Sequence, residues 1–378
     1  MFQRPQHLMT RFARDRRVFF FEEPVFEEGP PHLRSTDCVH TGVNVLTPVL
    51  PSGLDPNGTN HLLKTLLDSL LADRNIGHFI AWYYTPMAVE FTRHLLPLIT
   101  VYDSMDELSA FTGAPPAMRR NEAELFQRAD LVFTGGASLF ESKQKQHSNV
   151  HLFPSSVDVP HFARARGIDH EPDDQANIPR PKLGYAGVID ERMDTELIRA
   201  IAEQRPDWHL ILLGPVVKID PASLPQAPNI HYLGMKPYAD LPAYLSGWSI
   251  GMLPFALNES TRFISPTKTP EYLAAGLRVV STPIRDVLSP YGDRGLVGIA
   301  RNAGEFIRVA DSLLMSPLSE GGREKVDEFL AQSSWDKTWS HMNGLIKAAL
   351  QNKHTEYVES KTARAEVACY AMEGAEHV

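Results

Sequence analysis

The stretch "SPTKTPEYLAAGLRVVST", Ser265–Thr282, contains the start of a helix, its end and a buried strand. We expect Thr269 to cap the helix and Pro270 to take the first helical position, where a missing N–H leaves no bond unmade. Gly276 then ends the helix in the left-handed conformation. The next residues, 277–281, are mostly apolar and are typical of a short parallel strand covered on both faces. A helix that leads directly into such a strand is the repeating unit of an α/β fold.

Helix formation does not explain the cations of this stretch. Glu271 lies in the first turn, where the helix dipole favours a carboxylate, but Lys268 lies at the same end, where the dipole opposes a positive charge. Arg262 brings a second cation to the same loop. Both cations gain a role if an anion binds at this helix start. We therefore predict an anion site there.

Short apolar runs alternate with helical patterns along the rest of the chain, which is typical of parallel sheets covered by helices. The predicted strands are Arg17–Glu22, Val43–Thr47, His78–Trp82, Leu98–Tyr102, Leu131–Thr134, Val150–Phe153, Lys182–Ala186, His209–Leu213, Ile230–Leu233, Ser249–Leu253 and Arg278–Ser281. The predicted helices include Asn60–Ala72, Pro116–Arg128, Thr195–Gln204, Leu241–Ser246 and Thr269–Ala275. The sequence therefore predicts two doubly wound, Rossmann-like domains whose strands end at a shared cleft.

The two predicted domains are joined by a polar segment. Residues 164–181, "RARGIDHEPDDQANIPRP", contain several prolines and almost no apolar periodicity, so we interpret them as the linker. The linker separates residues 1–163 from a second domain at 182–333. Residues 351–378 are charged, with only a weak helical period, and we expect a loosely ordered tail.

Composition excludes several classes of protein. A chain of 378 residues with 43% hydrophobic and 22% charged residues is typical of a globular protein with more than one core. The net charge of -9 argues against broad binding to nucleic acid, and no apolar run approaches the roughly 20 residues that span a bilayer. Cys38 and Cys369 are far apart, which favours a reducing cytoplasm. No predicted strand is followed by GxGxxG, so a dinucleotide-dependent oxidoreductase is disfavoured.

Acidic side chains follow one strand of the first half. Asp103, Asp106 and Glu107 come directly after the predicted strand Leu98–Tyr102. Ligands of such sheets bind at the carboxyl ends of the strands. Acids on one side of the cleft and cations on the other suit a phosphate-bearing donor and an acceptor hydroxyl. For Asp106 and Glu107, capping of the next helix is an equally good interpretation.

Five segments together resemble the retaining glycosyltransferases of family 4, also called group 1, which have the GT-B fold. The donor segment has their order of proline, lysine, Glu-Tyr, an alanine-rich turn and glycine. "FPSSVDVPHF", residues 153–162, resembles the segment that closes their first domain, and "SWDKTWSHMNGLI", residues 334–346, resembles their C-terminal helix. "YDSMDELSAF" and "QRPQHLMTRFA" resemble a bacterial subgroup. The resemblance implies that residues 1–163 form the acceptor-side domain, that residues 334–350 cross back over it, and that residues 182–333 bind the nucleotide sugar.

The resemblance also implies roles for individual residues. Glu271 matches the glutamate that binds the ribose hydroxyls, Lys268 matches the lysine that reaches the diphosphate, and Arg262 is a second candidate for the diphosphate. The remaining expected donor contacts are backbone groups of Ser265, Pro266 and Thr267, a close backbone approach at Gly187, and the base-binding loop Met235–Tyr238, with Met235 and Tyr238 at its ends. Asp103 is expected to orient or deprotonate the acceptor, with Asp106 and Glu107 as alternatives.

The chain departs from the family pattern in three places. Phe263 stands where many relatives have an additional glutamate, and Tyr102 beside Asp103 stands where many have a histidine. The segment "GVIDERMD", residues 187–194, lacks their arginine and lysine, and Arg192 is a substitute with a different spacing. The chain also begins within the turn and helix that should follow a first strand. We therefore expect the first strand of domain one to be missing from this sequence.

The expected function is transfer of a sugar from a nucleotide-diphosphate sugar to an acceptor hydroxyl in bacterial surface polysaccharide or glycoconjugate synthesis. The resemblance implies retention of configuration, and no Asp-x-Asp motif follows a strand, so we expect neither a metal nor another cofactor. The acceptor could be a glycan, a lipid-linked glycan or a small molecule, met in the cytoplasm or peripherally at the inner membrane. Two alternatives are a sugar-nucleotide epimerase of the same fold and a non-catalytic nucleotide-sugar-binding protein.

Overall fold

The computed structural model describes residues 3–38, 41–316 and 319–373. For residues 37–38 and 356–373 it describes the backbone alone. The strands are β1 Val18–Phe21, β2 Val25–Phe26, β3 His32–Cys38, β4 Val43–Leu50, β5 Ile80–Tyr83, β6 Ile99–Ser104, β7 Leu131–Thr134, β8 Val150–Leu152, β9 Lys182–Ala186, β10 His209–Leu213, β11 Ile230–Gly234, β12 Ile250–Leu253, β13 Arg278–Ser281 and β14 Gly298–Ile299. The α-helices are α1 Arg4–Phe12, α2 Pro56–Asp73, α3 Val89–Thr92, α4 Met118–Arg128, α5 Ala137–Lys143, α6 Val159–Ala163, α7 Asp173–Ala176, α8 Thr195–Gln204, α9 Leu241–Ser246, α10 Lys268–Ala274, α11 Arg285–Val287, α12 Ala303–Met315, α13 Glu320–Ala331 and α14 Trp335–Glu373. The predicted α/β class is confirmed.

The second half of the chain forms one six-stranded parallel sheet in the order β11-β10-β9-β12-β13-β14. Strands β10 and β11 follow β9 on one side of the sheet, and β13 and β14 follow β12 on the other side. The order therefore reverses between β9 and β12, and in such sheets the ligand crevice lies at the carboxyl ends of the strands at this reversal. Buried aliphatic side chains fill both faces of β10 and β12, which accounts for their continuous apolar sequences.

The first half contains two four-stranded sheets. One is the parallel sheet β5-β6-β7-β8, and the other has β4 between β1 and β2, with β3 antiparallel to β4. In the described part of the chain, β1 pairs with β4 alone and β5 pairs with β6 alone. Aromatic rings pack between β1, β5 and α1. The ring centroids of Phe12 and Trp82 lie 5.2 Å apart, and those of Phe20 and Tyr84 lie 6.2 Å apart. Strand β3 was not predicted, because its sequence "HLRSTDC" is too polar to indicate a buried strand.

The last helix, α14, crosses back onto the first half, as predicted. Trp335, Met342 and Ile346 join the apolar core that contains Leu8 and Phe12 of α1. Both Arg11 and Arg14 also donate to the carboxylate of Asp336, each at 2.9 Å. The helix continues to residue 373, within the predicted tail, and residues 374–378 lie outside the described ones. No helix in the described ranges has both the length and the apolarity to cross a membrane.

Residues 164–181, predicted to be a polar linker, pack against the second half. Gln175 is fully buried, donates to the carbonyl of Tyr244 and accepts from the Trp248 indole, each at 2.9 Å. Acidic Glu171 pairs with Lys182 at the start of β9. A single buried amide joins this segment to α9 and to the loop that follows it, and apolar periodicity cannot reveal such a contact.

The stretch 265–282 forms the predicted helix and strand with two differences, both at the start of the helix. Helix α10 begins at Lys268 with Thr267 as its N-cap, so Thr269 lies inside the helix and not at its cap. Pro270 therefore takes the third helical position and not the predicted first position. Gly276 has a φ of 85°, and the amides after the helix donate to Leu273 and Tyr272 carbonyls, which confirms the predicted left-handed end. The prediction of Thr269 as the cap is wrong because the backbone was already helical one residue earlier.

Candidate functional site

A cavity of about 200 Å³ lies between the two halves of the chain. Its walls in the second half are the loops after β9, β10 and β11 and the start of α10. Its walls in the first half are the start of α1, the loop after β6 and the segment 155–158, with Trp335 of α14 beside them. The cavity therefore opens at the strand ends where the sheet order reverses, which is the place predicted for a ligand.

Lys268 and Glu271 meet in this cavity. The Lys268 ammonium lies 2.7 Å from Oε2 of Glu271, and the two side chains keep exposed fractions of 19% and 10%. Helix α10 places both on its first turn, three residues apart on one face. Burial raises the pKa of Glu271 above its ordinary 4.5, and Lys268 partly opposes this. A cation and a carboxylate that can accept hydrogen bonds therefore lie together at the cavity wall.

Backbone reaches the cavity where side chains are absent. Gly187 follows β9 and Gly214 follows β10, and a Cβ on Gly214 would lie 1.8 Å from the Gly187 carbonyl oxygen. Gly214 has a φ of 143°, which only glycine adopts readily. Ser265, Pro266 and Thr267 line the wall beside Lys268. Gly187 and the 265–267 loop therefore line the same cavity.

The loop after β11 forms another wall of the cavity. Met235 and Tyr238 both line it, and the Tyr238 ring stacks on His161 with centroids 4.1 Å apart and an angle of 8°. His7 lies edge-on to the same ring and stacks on Trp335 at 4.6 Å. Burial lowers the pKa of His7 to about 3, so its imidazole is neutral at neutral pH. Flat, uncharged rings therefore lie where the predicted base-binding loop meets the first half.

The structure does not bring Arg262 to the cavity. Its side chain is 65% exposed, its nearest carboxylate is that of Glu259 at 3.8 Å, and its guanidinium lies over the Phe263 ring. The turn that carries it is fixed by Thr261, whose hydroxyl donates to the Ala256 carbonyl. Sequence distance from Lys268 could not reveal that this turn directs Arg262 to the surface.

Arg192, unlike Arg262, lines the cavity. It lines the cavity from the loop after β9, and its Nη2 donates to Oδ2 of Asp190 at 2.7 Å. The loop folds back because Ile189 bridges to Val216 and Met193 bridges to Phe255. The sequence offered Arg192 as a substitute with a different spacing, and the folded path of the loop brings it to the cavity wall.

Asp103 does not line the cavity. It is fully buried, and its two carboxylate oxygens accept from Nη2 and Nε of Arg4 at 2.7 and 3.1 Å. Arg4 also donates to the Phe153 carbonyl. The pair joins α1 to the ends of β6 and β8, so Asp103 has a place in the framework below the site. Sequence reasoning missed Arg4, because an arginine at a helix start gives no sign of burial.

Asp106 is the residue of the acidic trio that reaches the cavity. Burial raises its pKa above the ordinary 3.8, and the nearby charge of Arg192 opposes the rise. Glu107 is directed away, toward the buried ammonium of Lys143 at 2.7 Å, which also binds Glu122 at 2.8 Å. The acid of the first half thus faces the cations of the second across the cavity.

Comparison with known proteins identifies the fold. No family model matches the chain. TuaH of Bacillus subtilis (strain 168), assigned as a glycosyltransferase of teichuronic acid biosynthesis, is 27% identical over an alignment of 249 residues, and the match covers 59% of this chain and 60% of TuaH. This chain therefore spans less than two thirds of that relative.

Two solved structures are similar over nearly the full length. Sucrose-phosphate synthase from Thermosynechococcus elongatus superimposes with a TM-score of 0.67 at 15% identity and 92% coverage of both chains. A UDP-forming α,α-trehalose-phosphate synthase from Burkholderia xenovorans, in complex with glucose-6-phosphate, gives 0.61 at 12% identity and covers 89% of this chain and 93% of its own. The chain therefore has the GT-B fold, with two Rossmann-like domains, and resembles the bacterial glycosyltransferases built on it.

Proposed function

We propose that this protein is a glycosyltransferase that moves a sugar from a nucleotide-diphosphate sugar to an acceptor hydroxyl. One observation carries the proposal. Lys268 and Glu271 line an interdomain cavity where the strand order of the six-stranded sheet reverses, and Asp106 lines the opposite wall. A nucleotide-binding protein without turnover needs only the first wall. An acid facing the donor from the other domain favours a transfer reaction.

The donor end of the cavity suits a nucleoside diphosphate. We propose that Glu271 accepts hydrogen bonds from the ribose hydroxyls. Lys268, Arg192 and the amides of Ser265 and Thr267, which also line the cavity, would then bind the diphosphate. The base then lies against the loop Met235–Tyr238. We propose uracil as this base, since the similar trehalose-phosphate synthase is described as UDP-forming. The sugar is left to extend toward Asp106.

The reaction proceeds by exchange of one bond at the anomeric carbon. The bond from this carbon to the leaving diphosphate oxygen breaks, the bond to the acceptor oxygen forms, and the acceptor proton passes to the diphosphate. We propose attack on the face that the diphosphate leaves, which retains the configuration, with Asp106 orienting the acceptor hydroxyl. Lys268 and Arg192 supply the positive charge that stabilises the departing diphosphate, so the proposed reaction requires no metal ion.

The acceptor is proposed to be a growing glycan or a lipid-linked glycan of a bacterial surface polymer. The support is the resemblance to TuaH, which is assigned to teichuronic acid biosynthesis. A second Rossmann-like domain with its own acid suits an acceptor that enters from the first-half side of the cleft. The donor sugar is identified by measuring UDP release from different UDP-sugars.

A thermal-shift screen with UDP, GDP, ADP and dTDP tests the donor site. We expect UDP to raise the melting temperature most, because a ligand that binds only the folded state stabilises it by mass action. Release of UDP from UDP-glucose, UDP-N-acetylglucosamine and UDP-glucuronate is then measured with and without a soluble alkyl glycoside. Acceptor-dependent release supports transfer, conversion to another sugar nucleotide supports an epimerase, and stabilisation by none of the four nucleotides contradicts the proposal.

The affinity for UDP should fall on acidification, and the fall should begin above pH 4.5. Burial holds the pKa of Glu271 above that ordinary value, so its carboxylate becomes protonated at a higher pH than an exposed glutamate would. The protonated group accepts ribose hydrogen bonds less well, so affinity is retained above the raised pKa and lost below it. Calorimetric titrations over pH measure this. The Glu271→Gln variant is the control, because it shares the titration of UDP itself, and an identical profile for both proteins would contradict the role.

A further inference from the structure

Gly136 lies at a close contact between the two domains. This residue caps the start of α5 with an extended backbone, φ -163° and ψ 166°, that any residue could adopt. A Cβ added there would nevertheless lie 2.0 Å from Oδ2 of Asp286 and 2.8 Å from Cβ of Ser265, both in the second domain. The absence of a side chain at Gly136 is therefore required by the contact between the domains and not by backbone conformation.

Asp286 completes the start of α5 from the opposite domain. Its Oδ1 accepts a hydrogen bond from the amide of Ser138 at 3.1 Å, and Asp286 is only 5% exposed. Gly136 has no side chain that could cap the helix, so the carboxylate of Asp286 satisfies one of the amides that every helix start leaves unpaired. The bond from the Ser138 amide to Asp286 therefore exists only while the domains are in contact.

This contact is close to the cavity. Ser265, which packs on Gly136, lines the cavity and begins the loop that ends at Lys268. On another part of the cleft, the amide of Thr112 donates to Glu191 at 3.1 Å, one residue before Arg192. The two domains therefore meet next to both segments that carry the cations of the donor wall.

We propose that Gly136 and Asp286 form a docking point that seats the 265–268 loop against the first domain, and that both are positioning residues for the proposed transfer. A methyl group at position 136 could displace the Asp286 side chain only by breaking its bond to Ser138. The clash with Ser265 cannot be relieved by rotation of a side chain, because Cβ is attached directly to the backbone. The backbone at 136 or at 265 must then shift, and we expect the 265–268 loop to move and to carry Lys268 with it.

The experiment compares Gly136→Ala and Asp286→Ala with Gly77→Ala, a matched control in the first domain where an added Cβ meets nothing within 4 Å. Hydrogen exchange of the amides of residues 137–139 reports the contact directly and needs no ligand. We expect about tenfold faster exchange in the first two variants and no change in the control, because exchange follows local opening. Unchanged exchange in Gly136→Ala and Asp286→Ala would overturn the proposal.

The double variant Gly136→Ala/Asp286→Ala separates a docking role from a local folding defect. Alanine at 286 removes Oδ2 and Cγ, two of the three atoms nearest the added methyl group. The losses of sugar-transfer turnover and of UDP affinity in the double variant, expressed as free energies, should therefore be smaller than the sums of the losses in the single variants. Residues that do not interact give additive losses, and additivity here would contradict the docking point. The turnover arm rests on the proposed function. If the wild-type protein neither binds UDP nor transfers sugar, that function fails while the exchange arm still decides the docking point.

Discussion

Replacing Lys268 with alanine should lower the turnover of sugar transfer by about 10² to 10³, the typical effect of removing one preorganised donor to a developing anion. The Lys268 ammonium lies 2.7 Å from Glu271 in the cavity wall, beside the 265–267 loop, where we propose that it binds the diphosphate. The variant also leaves the Glu271 carboxylate without its neighbouring cation, so UDP affinity should weaken as well. Steady-state kinetics and calorimetry with UDP measure the two effects.

The matched control for this variant is Arg262→Ala. It removes a cation from the same segment, but the Arg262 side chain is mostly exposed and outside the cavity, so turnover should stay close to that of the wild type. Melting temperatures of both variants show whether either is misfolded. Equal losses in the two variants would mean that the donor diphosphate binds elsewhere, nearer the surface turn at 258–263.

Replacing Asp103 with alanine should destabilise the protein by about 3 to 5 kcal/mol, because it leaves the buried guanidinium of Arg4 without its counter-charge. Both side chains of this pair are almost fully buried, and two hydrogen bonds join them. Urea unfolding monitored by tryptophan fluorescence measures the change in the free energy of unfolding. Glu196→Ala, which breaks an exposed pair with Arg199, is the control and should cost no more than about 1 kcal/mol.

This prediction also separates two roles for Asp103. The sequence suggested that it orients or deprotonates the acceptor, whereas the structure places Asp106 in the cavity and Asp103 beneath it. A framework role predicts loss of stability together with loss of activity. Loss of turnover at unchanged stability would instead support the catalytic role first expected from the sequence.

The sequence predicted most strands of the six-stranded sheet well, because buried parallel strands have continuous apolar sequences. Strands β9, β10 and β13 begin and end at the predicted residues, and so does helix α8. The left-handed glycine at 276 was also predictable, since few other residues tolerate that conformation. Strands β2 and β14, of two residues each, are too short to leave a pattern.

The direction of individual side chains was less predictable. Lys268 and Glu271 lie three residues apart on one helix, so local geometry alone brings them together. The destinations of Asp103, Arg192 and Arg262 depend on contacts with segments that are distant in the sequence, such as the buried guanidinium of Arg4 or the bridge between Met193 and Phe255. No pattern within their own segments encodes these partners.

The most direct test of the donor site is a crystal structure of the protein with UDP bound. We predict that the Lys268 ammonium lies within hydrogen-bonding distance of a diphosphate oxygen, that Glu271 accepts from the ribose hydroxyls, and that the base lies against the loop 235–238. UDP bound outside the interdomain cavity, or inside it with the Lys268 ammonium still bonded to Glu271 and no cation of the second domain on the diphosphate, would contradict this account.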